Sequence, residues 1–289
     1  RATDTGKSGG MHEHDEVTDR IMSLAANYVV ERVTLDPVPP DHPETVASLA
    51  RRAPNLIGEP PRPPAEVCAQ FAEMLAPAVI SVDSPRYLSF IPAAPTKASL
   101  LFDMVVSAAS PNGISWLDAS GAVHAENQAL AVLAGEMGLP EDAGGCFVAG
   151  GSAGNLSALA VARDSARRRL GDPRARMSIV CSEQVHSSVI NTARLLDVDV
   201  ITVPTVAWRL TGEDVANVAA SLERPGLVCA VVATAGTTNL GIIDDLDGIA
   251  AVAEARGWWF HVDGAYGPPP GWPPRPESCS GVPSDAIRW

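Results

Sequence analysis

Lysine is almost missing from this chain: among 289 residues only Lys7 and Lys97 supply it, so the last two thirds hold no lysine nucleophile. Basic side chains number 21 against 34 acids, and the net charge of −13 argues against a nucleic-acid surface. No apolar run is long enough to span a bilayer and the N-terminus has no signal-peptide pattern, so a cytoplasmic protein without a membrane partner is expected. Metal-ligand spacing is absent too. Cys68, Cys146, Cys181, Cys229 and Cys279 are scattered, and because the first four fall in apolar runs they read as buried reduced thiols. What is present is a globular composition, 46% hydrophobic, long enough for one large α/β domain or two smaller ones.

The stretch from Val228 to Gly267 organises the rest. Its apolar run from Leu227 to Ala233 reads as a strand buried on both faces, as in a parallel sheet. A Gly-Thr-Thr turn follows, and the acidic segment Asp244 to Asp247 can cap a helix striped by Ile249, Val252 and Ala253. Gly257 suits the end of that helix, and a second strand, Trp258 to Val262, leads into Asp263. This βαβ unit puts Thr237, Thr238 and Asp263 at the carboxyl ends of neighbouring strands, where open α/β sheets take ligands. An acid placed there needs a partner, and a buried cation would supply one.

Strand–helix alternation begins at Gly145, with CFVA, a helix after Ser152, SIVCS, a helix after Ser187, DVITV and a helix after Thr211. The expected fold is therefore α/β, a doubly wound, mostly parallel sheet with helices on both faces. Ahead of it, residues 1–16 form a polar tail and 17–80 an arm. The arm opens with an amphipathic helix over 16–33, carrying Val17, Ile21, Leu24, Ala25 and Tyr28 on one face. The next thirty residues are dense in proline, which predicts an extended connection that would carry the helix to a partner subunit. Helical patterns recur over 65–75, 98–108 and 122–137, while SPRYLSFIPAAPTKA and the surroundings of Trp116 read as loops.

Two further positions carry chemistry. Gly150, Gly151 and Ser152 lie where a strand turns into a helix, and free N–H groups with the helix dipole attract an anion there. A tight turn with no ligand explains them equally well. The pattern is GGSAGN rather than GxGxxG, which argues against a dinucleotide. His186 sits between a strand and a helix that Ser187 or Ser188 can cap. An anion cradle, a ring that can stack, a hydroxyl pair and an acid, all at strand ends, suit a flat phosphorylated heteroaromatic. Pyridoxal phosphate fits, with the acid keeping its pyridine nitrogen protonated.

The segments GGSAGNLSALAVAR, HSSVINTA, ATAGTTNLGIIDDL and WFHVDGAYG resemble the successive motifs of the group II pyridoxal-phosphate-dependent amino-acid decarboxylases, of the aromatic-L-amino-acid decarboxylase type. SPRYLSFIPAAPT is similar to the N-terminal half of the same family, and the resemblance runs from about Val17 to Gly267. It implies the aspartate-aminotransferase-like type I fold, a homodimer, an amino-acid substrate and decarboxylation. It further implies that Gly151 and Ser152 bind the cofactor phosphate and that His186 stacks on the pyridine ring. Thr238 (or Thr237) would contact the cofactor, Asp263 would pair with the ring nitrogen, and Ala265 would pack against the ring. Phe90 and Trp116 fall in loops that line the family's substrate pocket.

One departure stands out. The family's Schiff-base lysine lies in an HKW-like motif beyond the HVD strand, and no lysine follows Lys97 here. The large domain, 81–267, would be incomplete, and residues 268–289 are Pro-rich and break the pattern. Read one base out of frame, with G or C often in the third codon position, they resume a helical periodicity. A frameshift product ending in an early stop is the resulting expectation, with the C-terminal domain missing and this chain inactive. The alternative is a non-catalytic pseudoenzyme or dimer partner.

Overall fold

The computed structural model describes residues 13–54, 56–57, 62–90, 94–265 and 287–288. The expectations for residues 1–12, for Tyr266 and Gly267 and for 268–286 lie outside those residues. Two compact units are present, 1–110 and 111–289.

The first unit is helical. Its α1 (Glu16–Val33) begins at a capping box in which the Asp15 carboxylate accepts the Thr18 N–H at 2.8 Å. Tyr28 of α1 meets Phe71 edge to face, ring centroids 5.5 Å apart. The proline-rich connection is not extended throughout. Between Pro43 and Pro54 no proline interrupts the chain, and Thr45 caps a short α2 (Val46–Arg52). α3 (Pro64–Gln70) passes into a π turn at Phe71–Leu75, and α4 (Lys97–Ala109) follows a Thr96 cap. None of these helices has a buried residue.

The second unit opens with α5 (Trp116–Glu136), so Trp116 heads a helix rather than lying in a loop; Ser115 caps it, with its hydroxyl on Asp118. CFVA, expected as a strand, has no regular secondary structure and pairs with no strand among the described residues, leaving Phe147 and Val148 exposed. An apolar run has strand propensity, but a strand exists only where a neighbour completes its hydrogen bonds.

The remaining elements alternate as expected: α6 (Gly151–Leu170), β1 (Ser178–Ser182), α7 (Ser187–Leu196), β2 (Asp199–Val203), α8 (Gly212–Ser221), β3 (Val228–Thr234), α9 (Leu246–Arg256) and β4 (Trp259–Asp263). Two residues of the terminal stretch expected to lack secondary structure, Ile287 and Arg288, form β5. The sheet order is β2-β1-β3-β4-β5, parallel throughout. Alternate strand residues feed two cores. Ile179, Cys181, Cys229, Val232 and Trp259 pack with Leu159 and Ala162 of α6 and Val189 of α7. Val180, Val231, Ala233, Phe260 and Val262 pack on the other face with Val215 of α8 and Ile249 of α9. Helices thus cover both faces, and all seven residues of β3 are buried. Cys181 and Cys229 are buried, and burial pushes both thiols up to about 12; Cys146 is exposed and Cys68 half-buried, against the expectation.

Asp244 and Asp245 fasten one end of the sheet. The buried Asp244 carboxylate accepts the Leu210 and Thr234 N–H groups at 2.8 and 2.7 Å, one on each oxygen. Asp245 caps α9 and also takes the Gly212 N–H at the start of α8.

Candidate active site

The parallel register pairs Thr234 with Asp263, so β3 and β4 end side by side. Along β4 the side chains alternate, and Trp259, which lies in the core beneath α6 and α7, fixes the face that His261 and Asp263 share. Asn155, one turn into α6, is on that face. Its Nδ2 lies 3.1 Å from Asp263 Oδ2 and 2.8 Å from Ser188 Oγ, and its Oδ1 lies 2.7 Å from His261 Nε2. Ser188 Oγ is 2.8 Å from His186 Nδ1. Asn155, Ser188, His261 and Asp263 are all buried.

His186 and Asp263, singled out separately in the sequence, are therefore joined through two intervening side chains. The cap of α7 is His186 itself, whose ring accepts the Ser188 N–H at 3.2 Å; Ser187 and Ser188 are already the first two residues of the helix and so do not cap it. Asp263 has no cation beside it among the described residues: its carboxylate meets the neutral Asn155 amide. Burial drives the His261 imidazole down to about 4, against the opposing pull of Asp263, so it is neutral at physiological pH. Its Nδ1 and the Thr234 hydroxyl are buried with no hydrogen-bond partner among the described residues.

At the head of α6, Gly150 has φ 144°, a conformation that favours glycine, and no side chain caps the helix. Gly151 and Ser152 are exposed, and a Cβ built on Gly150 or Gly151 would meet nothing within 4 Å. The first N–H groups of α6 are thus left without a capping side chain. Thr237 is buried and its hydroxyl accepts the Ile242 N–H at 3.1 Å, tying the turn after β3, whereas Thr238 and Ala265 are exposed. Phe90, at φ 60° and strongly exposed, belongs to the first unit; Trp116 belongs to the second.

Two residues of this network, Asn155 and His261, are not singled out in the sequence, and Ser188 is expected there only as a helix cap. A signal for the first does exist. Asn155, Leu159, Ala162 and Ala166 form the buried stripe of α6, and an amide within such a stripe demands polar partners.

Residues 48–269 match the pyridoxal-dependent decarboxylase conserved domain. The chain belongs to this family. It is 33% identical over 209 residues to an L-2,4-diaminobutyrate decarboxylase of Rhizobium meliloti (strain 1021), covering 70% of this chain and 42% of that relative. It is also 31% identical over 212 residues to a 4-hydroxyphenylacetaldehyde synthase of Rhodiola rosea, covering 68% and 43%. The structure of the glutamate decarboxylase domain of diaminobutyrate-pyruvate transaminase and L-2,4-diaminobutyrate decarboxylase from Vibrio parahaemolyticus is similar to it, with a TM-score of 0.76 and 28% identity over 88% of this chain and 59% of that one. This decarboxylase-family chain thus spans less than half the length of the two curated relatives. The expected type I fold and pyridoxal phosphate as the family's cofactor both hold. Among the described residues, no helix is long and apolar enough to cross a membrane.

Proposed function

We propose that this chain is the cofactor-binding part of a carboxy-lyase that decarboxylates an L-amino acid. The observation that carries the reading is the Asp263–Asn155–Ser188–His186 network at the carboxyl ends of the parallel strands. The residues fit pyridoxal phosphate. Asp263 is a buried carboxylate whose side-chain partner is a neutral amide, so a protonated ring nitrogen would complete it. The uncapped head of α6, open around Gly150 and Gly151, suits a phosphate.

Gly151 and Ser152 then bind the phosphate with N–H groups and a hydroxyl. His186 lies against the ring and keeps water from that face. Asp263 holds the proton on the ring nitrogen. Thr238 is the better contact of its pair, since the Thr237 hydroxyl already takes a backbone N–H. Ala265 packs beside the ring. When bound, the cofactor supplies the electron sink for the bond that releases carbon dioxide. We assign the enzyme to the cytoplasm as a homodimer, for which the unburied apolar side chains of α1 and α4 are the support.

A second reading, a non-catalytic pseudoenzyme or dimer partner, is favoured by the absence of any lysine after Lys97. Residues 98–289 themselves supply no lysine amine to hold the cofactor aldehyde covalently. Isothermal titration with pyridoxal phosphate tests the shared part of both readings. Saturable binding is expected, and Ser152→Ala should weaken it by about 1–3 kcal/mol, the range for a hydrogen bond to a charged group. Heat evolution without saturation would sink the cofactor assignment. Carbon dioxide release from a panel of aromatic and acidic amino acids then separates the enzyme from the pseudoenzyme.

A further inference from the structure

The direction of every hydrogen bond in the network follows from the charge on Asp263. An ionised carboxylate only accepts, so the Asn155 atom facing Asp263 Oδ2 at 3.1 Å must be Nδ2. The second Nδ2 hydrogen goes to Ser188 Oγ at 2.8 Å. Oδ1 is left facing His261 Nε2 at 2.7 Å, and that nitrogen must carry the proton of the neutral ring. Ser188 Oγ, already accepting, has one hydrogen to give, and His186 Nδ1 lies 2.8 Å away. The Ser188 backbone N–H points at the same nitrogen from 3.2 Å. With two donors aimed at it, Nδ1 carries no proton, and the His186 proton sits on Nε2. Asn155, Ser188 and His261 are each at most 5% exposed, so water does not interrupt the chain.

We infer that Asn155 is a positioning residue whose single amide converts the negative charge of Asp263 into a fixed Nε2-protonated tautomer of His186. No other head group of this length does so: two hydrogens and an acceptor on one plane are required, and a carboxyl, hydroxyl or methyl group lacks at least one of them. A neutral ring in one tautomer can lie against a cationic heteroaromatic ring without charge repulsion. The inference rests on the proposed function only in taking His186 and Asp263 as the groups that meet the cofactor.

Nitrogen-15 NMR of the full chain, labelled in its six histidines and free of pyridoxal phosphate, tests it. His186 and His261 should both show the Nε2-protonated pattern at neutral pH. Asn155→Asp offers at most one hydrogen in place of two, so the Ser188 hydroxyl turns away and His186 shifts toward Nδ1 protonation. In a Ser188→Ala background the same substitution should leave the His186 resonances in place. An Nδ1-protonated or doubly protonated His186 in the unsubstituted chain overturns the inference whether or not the variants fold. So does a His186 signal unmoved by Asn155→Asp, or one that moves equally without the Ser188 hydroxyl. Failure of pyridoxal phosphate to bind in a separate titration would remove the proposed function and leave the His186 tautomer standing.

Discussion

Helices α4 and α9 are similar in length and in apolar content, yet they end in opposite surroundings. α4 presents Phe102 at 64% and Val105 at 58% exposure and buries nothing. α9 buries Leu246, Ile249 and Ala253. The difference lies in what each helix has to lie on. α9 follows β3 and is followed by β4, so its stripe falls on a sheet whose strands are apolar on both faces. α4 belongs to a unit without a sheet, where the described residues leave its apolar side open. Apolar periodicity makes a helix, but only a second surface makes a core.

The sharpest way to break that contrast is to shorten one side chain on each helix. Ile249→Ala should cost about 2–5 kcal/mol, as for other buried truncations. Phe102→Ala should stay within about 0.5 kcal/mol, as for exposed positions. Urea unfolding measures both, and equal losses would mean that α4 is covered in solution. Acid offers the next largest effect. His261 titrates near 6.5 when unfolded and about 4 when folded, so the unfolded chain binds the proton more readily. Its contribution is whole above pH 6.5 and is lost as pH falls from 6.5 toward 4, by about 3 kcal/mol in all. His261→Gln should flatten that part of the stability curve; an unchanged slope would show that the ring is wet.

A smaller loss should follow Asp244→Asn. Burial raises the Asp244 carboxyl, yet both its oxygens accept backbone N–H groups, and an amide would set its own NH2 against one of them. About 1–3 kcal/mol is expected by thermal melting. A neutral result would mean that the loop after β2 moves aside. The least effect belongs to Arg176, whose bonds to Asp197 and Asp199 lie in open water. Arg176→Gln should leave the melting temperature within error in 0.15 M salt.

The same contrast explains what the sequence makes legible. The strands β1 to β4 announce themselves because each is an apolar run short enough to be nothing else, and Asp263 stands out as the acid that ends one. CFVA has a similar apolar composition but no partner strand among the described residues, and pairing is not written within four residues. Trp116 looks like loop because Gly113 precedes it and Gly121 follows; the Ser115 cap overrides both, at the expense of a kink at Ala119. Asn155 stays silent for a different reason. An amide in GGSAGN has the same spelling whether it faces water or a carboxylate 108 positions away, and only the fold brings that carboxylate to it.

The distribution of sulfur gives the chain a clock of its own. Cys146 lies open to reagents, while Cys181 and Cys229 sit in adjacent strands of the sheet as thiols, and only the thiolate is alkylated. A maleimide should therefore mark Cys146 at once and the inner pair only on the rare occasions when β1 and β3 part. The lag between the two labels reports how often the sheet opens, with no probe added to the protein.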